Sequence, residues 1–123
     1  MTTREMTLEE RLDFIEFRQE LLFDNSPYAR LLFDHDVTRE QRDAIADIFS
    51  DYRKKIDAGE DAGISATYEQ KIYNAVPHKY GNYHFAEDLA HVNHQRGSWE
   101  EVFETLYGDS PKFQNYLNNC NED

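Results

Sequence analysis

Residues 84–106 read HFAEDLAHVNHQRGSWEEVFETL, and this stretch predicts two helices joined by a turn at Gly97. Apolar residues recur at helical spacing on both sides of this glycine, and glycine is the residue type that most often follows the last turn of a helix. Ser98 and Glu101 have the spacing of a capping box, so Ser98 is expected to cap the second helix. The stretch also holds three of the five histidines and the single tryptophan, Trp99. We therefore expect this helix pair to form the centre of a small core, with Trp99 as one of its anchors.

Signals for helix starts and stops recur along the rest of the chain. Thr7 and Thr38 are residues that favour the N-cap position, and Pro27 suits the first position of a helix. Pro77 is expected to end a helix, because proline has no N–H to donate to the preceding turn. Capping signals and helical periodicity together predict helices over residues 8–23, 27–33, 39–57, 65–76, 83–96 and 99–107, with a final turn or two after residue 111.

The predicted fold class is all-α, a compact bundle of five to six short helices. No segment alternates apolar and polar residues in the manner of a strand. With 123 residues, the chain has the usual length of one domain, so we assign residues 1–123 to a single helical domain. Residues 1–6 and 118–123 are predicted to be a flexible leader and a flexible tail.

The first predicted helix carries two apolar stripes on opposite faces. Phe14, Phe17 and Leu21 form one stripe and are our candidates for a subunit interface. A helix with two apolar faces must bury both, and a chain this short has few segments to cover them. The sequence therefore favours self-association through this helix, although both faces could instead be covered within one subunit. The opposite stripe consists of Leu8, Leu12, Ile15 and Leu22.

The net charge of the chain restricts the classes of molecule that it is expected to bind. Twenty-five acidic residues outnumber 13 basic ones, for a formal net charge of −12. This charge repels phosphate backbones and anionic lipids, so direct binding to nucleic acid or to a membrane surface is not expected. An acidic surface that serves only solubility is one interpretation, and an inhibitor that mimics nucleic acid is another.

The single cysteine, Cys120, cannot form a disulfide within the chain, which fits a reducing compartment. The N-terminal sequence MTTREMTLEE lacks the apolar segment of a signal peptide, and no apolar run reaches the roughly 18 residues of a membrane span. We therefore predict a soluble, cytoplasmic protein.

Four polar residues on the predicted helix 83–96 are the candidates for a metal site. Histidine and carboxylate ligands suit Zn²⁺ and other transition metals, but one helix rarely supplies more than two or three of them. We therefore expect a solvated polar face, a weak response to Zn²⁺ and no cofactor, with a pH-sensitive patch as a further possibility. The four residues are His84, Glu87, His91 and His94.

Other chemistry has little support in the sequence. The loop DAGEDAG, residues 57–63, is similar to a calcium-binding loop that begins at Asp57, but it has Ala62 where the tight turn needs glycine and Tyr68 where the bidentate glutamate belongs. Acidic pairs such as Glu100 and Glu101 are expected by chance in so acidic a chain. Because no catalytic motif is present, we predict that the protein is not an enzyme.

Several short motifs recur in an order typical of one family: Glu10-Arg11-Leu12, Tyr28-Ala29-Arg30-Leu31-Leu32, a helix capped at Thr38, a helix bearing His84, and Gly97 to Phe103. With them the chain resembles, over about residues 9–117, the YhaI-like family of small helical proteins from Gram-positive bacteria. The resemblance implies an all-α bundle that self-associates, and the family carries no established activity from which site residues could be transferred. We therefore expect an interaction or regulatory module that forms a homo-oligomer and binds a protein partner of unknown identity.

Overall fold

The computed structural model of the protein describes residues 6–121, which form seven α-helices and no β-strand. The all-α prediction is confirmed, but the predicted number of five to six helices is too low. The segment after Pro111, predicted as a final turn or two, forms a 3-10 turn and then a helix of eight residues. The helices are α1 (Leu8–Asp24), α2 (Pro27–Asp34), α3 (Arg39–Asp57), α4 (Ser65–Ala75), α5 (Tyr83–Gln95), α6 (Glu100–Tyr107) and α7 (Gln114–Asn121).

Phe113 and Leu117 explain the additional helix. Both side chains are buried in the core, so α7 is held against the domain. Helix α7 continues over residues 118–121, which belong to the segment predicted as a flexible tail. The remaining residues of the predicted leader and tail, 1–5 and 122–123, lie outside the described part of the chain.

The caps that begin the helices are those expected from the local sequence. Thr7 and Thr38 each form a complete capping box, with Glu10 and Gln41 as the reciprocal partners. The Asn82 side chain accepts a hydrogen bond from the N–H of Phe85 and so caps α5. Each cap satisfies an N–H group that the helix itself leaves without a partner. These starts are therefore determined by three or four neighbouring residues.

The start of α6 differs from the expectation. Ser98 does not cap this helix; its N–H bonds the carbonyl of Asn93 at 2.8 Å, while the N–H of Gly97 bonds the carbonyl of His94 at 3.1 Å. These two bonds complete a Schellman ending on α5, with Gly97 in the left-handed region at φ +78°. Trp99 then takes the N-cap position at φ +51°, and no side chain in the described part of the chain caps the helix. The ending of α5 therefore engages the backbone N–H of Ser98, which the predicted capping box would have used.

Helix α5 lies at the centre of the bundle and contacts α2, α4 and α6. Phe85 and Leu89 of this helix are fully buried. Tyr68 of α4 donates a hydrogen bond to the carbonyl of Ala86 at 2.7 Å, and burial raises the pKa of this tyrosine well above its usual value. Trp99 is half-buried and packs on Phe49 of α3, with ring centroids 5.4 Å apart. Residues 84–106 thus form the centre of the core.

None of the helices in residues 6–121 combines the length and the apolar character that crossing a membrane requires.

Candidate functional site

Helix α1 exposes a row of apolar side chains along one face. The row consists of Leu8, Leu12, Ile15 and Leu22, which are 71%, 51%, 53% and 57% exposed. Together with Gln19, these residues are separated by steps of four, three, four and three residues. This is the spacing of the contact positions in a coiled coil. We refer to these five residues as the α1 seam.

The burial of α1 reverses the roles that the sequence suggested for its two stripes. Phe17 and Leu21, two of the three interface candidates, are only 1% and 7% exposed and belong to the core of the same chain. Phe14, the third, is half-buried beside Arg18, whose guanidinium lies 5.3 Å from the centre of the Phe14 ring. The stripe left open to another molecule is therefore the α1 seam. Helices α2 and α3 decide this by packing against the aromatic face of α1.

Charged residues flank the α1 seam on both sides. Arg11 is exposed on one side, and Glu9 and Glu16 are exposed on the other. Within residues 6–121, neither Arg11 nor Glu16 takes part in an ion pair. Arg18, the next basic residue on the side of Arg11, is already bound to Asp36 at 2.7 Å. Arg11 and Glu16 are thus free to pair with charges on another molecule.

The four metal-site candidates do not converge on one point. His84 is exposed, and its Nδ1 lies 3.7 Å from Glu87 Oε1. Glu87 is buried and also accepts a hydrogen bond from Lys112 Nζ at 3.1 Å. His91 lies further along the helix, with its ring stacked on Phe103 at a centroid distance of 5.5 Å. The expected solvated face is therefore wrong, because α6 and the segment after Pro111 cover most of it.

His94 differs from the other three because it meets side chains of other helices at both ring nitrogens. Its Nδ1 lies 2.6 Å from the hydroxyl of Tyr116, and its Nε2 lies 3.1 Å from Glu104 Oε1. Glu100 lies one turn before Glu104 on α6 and offers a second carboxylate. In the described part of the chain, one group of three potential metal ligands lies together, with one ligand atom from each residue within 4.8 Å of the others: His94, Glu100 and Glu104.

The sequence contains a signal for this cluster that the prediction did not use. Glu100 and Glu104 are four residues apart, so they lie on the same face of α6. The turn at Gly97 folds α6 back beside α5, whose last turn carries His94. Acidic pairs such as Glu100 and Glu101 are expected by chance in so acidic a chain, so the spacing of Glu100 and Glu104 is not distinctive by itself. Because a tight turn makes the two helices neighbours, the shared face of Glu100 and Glu104 could have been predicted to lie near His94.

The remaining two histidines meet at the other end of α5. His78 Nε2 donates a hydrogen bond to the backbone carbonyl of His35 at 2.7 Å. The His35 ring packs on Phe85 at a centroid distance of 4.8 Å, and its Nδ1 is buried without a hydrogen-bond partner among residues 6–121. Burial, assisted by the nearby positive charge of Lys79, lowers the pKa of His35 below its ordinary value of 6.5. The folded protein therefore favours the neutral ring.

The lowered pKa of His35 predicts that stability decreases in mild acid. As the pH falls below about 6.5, the unfolded chain takes up this proton more readily than the folded chain does, so the free energy of unfolding decreases. His35→Phe keeps an aromatic ring against Phe85 and removes the titration, and it should reduce this decrease. Urea unfolding at neutral and mildly acidic pH measures the effect. His84→Phe makes the same change at an exposed position, and an equal reduction in both variants would contradict the assignment to His35.

Comparison with known proteins gives no match, whether to a family model, to a curated protein or to a solved structure.

Proposed function

We propose that the protein is a non-enzymatic interaction module that self-associates as a homodimer through the α1 seam. The observation that carries this proposal is the row of exposed apolar residues on a helix whose opposite face is buried. Contiguous exposed apolar surface on a folded domain marks an interaction site more often than single exposed residues do. A second copy offers the same row, and a two-fold axis parallel to the helix brings the two rows into contact.

The fold reduces the cost of such an interface. An isolated two-heptad helix is marginal in water, because its backbone must be ordered before any contact is made. Helix α1 is already held in place by Phe17 and Leu21 in the core and by the capping box at Thr7. Association through the α1 seam would therefore order side chains only. Gln19, at the one polar position of the seam, would favour one register over its alternatives.

The charges beside the α1 seam favour a parallel arrangement. In a parallel pair of helices, the residue before one contact position lies near the residue five places later on the second helix. Arg11 of one copy then faces Glu16 of the second copy, and two-fold symmetry gives this pair twice. In an antiparallel pair, residues of the same side would meet, so Glu9 and Glu16 would approach other glutamates. Charge complementarity thus supports the parallel dimer.

Exchanging the two charges tests both the interface and its direction. Arg11→Glu alone and Glu16→Arg alone should each place like charges together and weaken the dimer by about 1–2 kcal/mol over the two symmetric pairs, a factor of roughly 5–30 in Kd. The double variant restores the opposite charges and should recover the affinity. Sedimentation equilibrium at low salt measures the three dissociation constants. Failure of the double variant to recover affinity would argue against the parallel arrangement.

Mimicry of nucleic acid has weaker support from the placement of the acidic residues. One regular exposed row of carboxylates lies on α3 at Asp43, Asp47 and Asp51. It spans about 12 Å, whereas a DNA strand presents a phosphate about every 3.4 Å along the helix axis. Asp43 is also paired with Arg42 at 3.0 Å. Three carboxylates at this density reproduce little of a phosphate backbone, so the interaction module remains our preferred function.

The resemblance to the YhaI-like family belongs to the same proposal, since self-association is what that resemblance implies. A cytoplasmic location, suggested by the single cysteine, also belongs to it. We further propose a regulatory role in which a protein partner binds the dimer, with the acidic surface favouring a basic partner.

A further inference from the structure

We infer that His94, Glu100 and Glu104 form a binding site for a divalent first-row transition metal ion. This inference is independent of the proposed dimer, because the three residues lie on α5 and α6 and not on the α1 seam. Weak Zn²⁺ binding is expected when all the ligands come from one helix, which rarely supplies more than two or three of them. The structure brings two carboxylates of a second helix to the last histidine of the first.

The distances between the donor atoms suit a shared ion. Zinc bonds to imidazole nitrogen and to carboxylate oxygen are about 2.0–2.2 Å long, so tetrahedral ligand atoms lie about 3.3–3.6 Å apart. His94 Nε2 and Glu104 Oε1 are 3.1 Å apart, and a donor atom of Glu100 lies within 4.8 Å of both. Glu100 is exposed at the start of α6, so its side chain is free to change rotamer towards the other two ligands. A small closure of the cluster would complete the site.

The surroundings of His94 hold its ring in a suitable orientation. The side chain is 5% exposed, and its ring lies 5.1 Å from that of Phe103. With a metal ion at Nε2, the proton resides on Nδ1 and is donated to the hydroxyl of Tyr116, 2.6 Å away. Histidine ligands of metals commonly donate their second nitrogen in this manner, which fixes the ring and strengthens the ligand. Tyr116 is therefore a positioning residue for the site.

The two carboxylates supply negative charge that a bound cation would balance. Within residues 6–121, no lysine or arginine pairs with Glu100 or Glu104, and the one ion-pair partner of Glu104 is His94. A hydrogen bond from His94 to Glu104 would leave the charge of Glu100 without a partner. Imidazole ligation favours zinc, cobalt, nickel or iron over magnesium and calcium, which prefer oxygen donors alone. Three protein ligands would leave at least one coordination position for water.

Titration of the metal-free, full-length protein with Zn²⁺ in a calorimeter tests the inference. We expect one ion per chain, bound with submicromolar affinity, and a visible absorption spectrum of low-coordinate Co²⁺ when that ion is substituted. Glu100→Gln is the informative variant, because an exposed residue can be changed without disturbing the fold. It should weaken Zn²⁺ binding at least about tenfold, as should Glu104→Gln and Tyr116→Phe.

Two variants serve as controls. Glu40→Gln removes the same charge from the first turn of α3, and His84→Gln removes a histidine that lies outside the cluster. Both should bind Zn²⁺ as the unchanged protein does. Equal binding by Glu100→Gln and the unchanged protein would overturn the inference and leave His94 and Glu104 as a simple hydrogen-bonded pair. Loss of Zn²⁺ binding in His84→Gln would also overturn the inference. Weak binding of Zn²⁺ by the unchanged protein would overturn it as well.

Discussion

Phe17→Ala is expected to lower the free energy of unfolding by about 3–5 kcal/mol, the range for a large aromatic side chain removed from a core. Phe17 is 1% exposed, and the guanidinium groups of Arg39 and Arg42 lie 5.1 Å and 5.2 Å from the centre of its ring. The substitution removes the anchor that joins α1 to the start of α3 and also both cation–π contacts. A domain with 5–15 kcal/mol of total stability would lose a large fraction of it.

Urea unfolding followed by circular dichroism measures this loss. Ile15→Ala is the matched control, because it shortens an apolar side chain of the same helix on its exposed face. At concentrations where the protein is monomeric, the control should change the free energy of unfolding by no more than about 0.5 kcal/mol. If Phe17 lay at a subunit interface, as its sequence pattern suggested, Phe17→Ala would instead dissociate the protein and leave the monomer stable.

Leu12→Glu is expected to convert the dimer into a stable monomer. Leu12 is 51% exposed in the single chain, so about half of each side chain remains to be buried on association. The two copies would together contribute about 2–3 kcal/mol of apolar burial. Two glutamates at facing positions would remove this contribution and add repulsion. Because each 1.4 kcal/mol changes Kd tenfold, the dissociation constant should rise at least about 100-fold.

Light scattering over a range of protein concentrations measures the change in mass. Thr67→Glu adds the same charge at an exposed position in the first turn of α4, and it should leave the dimer intact. The circular dichroism spectrum of Leu12→Glu should retain the full helical signal, because Leu12 lies on the exposed face of α1 and is not one of the core residues. An unchanged protein that is already monomeric at high concentration would contradict the proposed interface.

Phe17→Ala and Leu12→Glu act on opposite faces of α1, so the first should change the free energy of unfolding and the second the dissociation constant of the dimer. Phe14, Phe17 and Leu21 have the same apolar character as the residues of the α1 seam, and periodicity alone places them on opposite faces. It gives no indication of which face meets the core. Phe17 and Leu21 are buried because α2 and α3 pack on their side, and this packing involves residues far along the chain.

The same limit applies to the histidines of α5. The sequence placed His84, Glu87, His91 and His94 on one helix face, and the structure keeps them on α5. Their environments depend on other elements, so His84 is exposed while His94 is buried between Glu104 and Tyr116. Burial lowers the pKa of His91, whose ring packs on Phe103 of α6 and on Phe113.

The sequence by itself determined the all-α class and nearly all the helix boundaries. Caps and stops act over three or four residues, so Thr7, Thr38 and Asn82 function as their local sequence predicts. Tertiary structure decided which face of α1 is open and which carboxylates reach His94, because these depend on how separate helices pack. At Ser98 two local signals competed, and the ending of α5 took precedence: the N–H that a capping box would give to Glu101 is bonded to Asn93, and Trp99 takes the N-cap position.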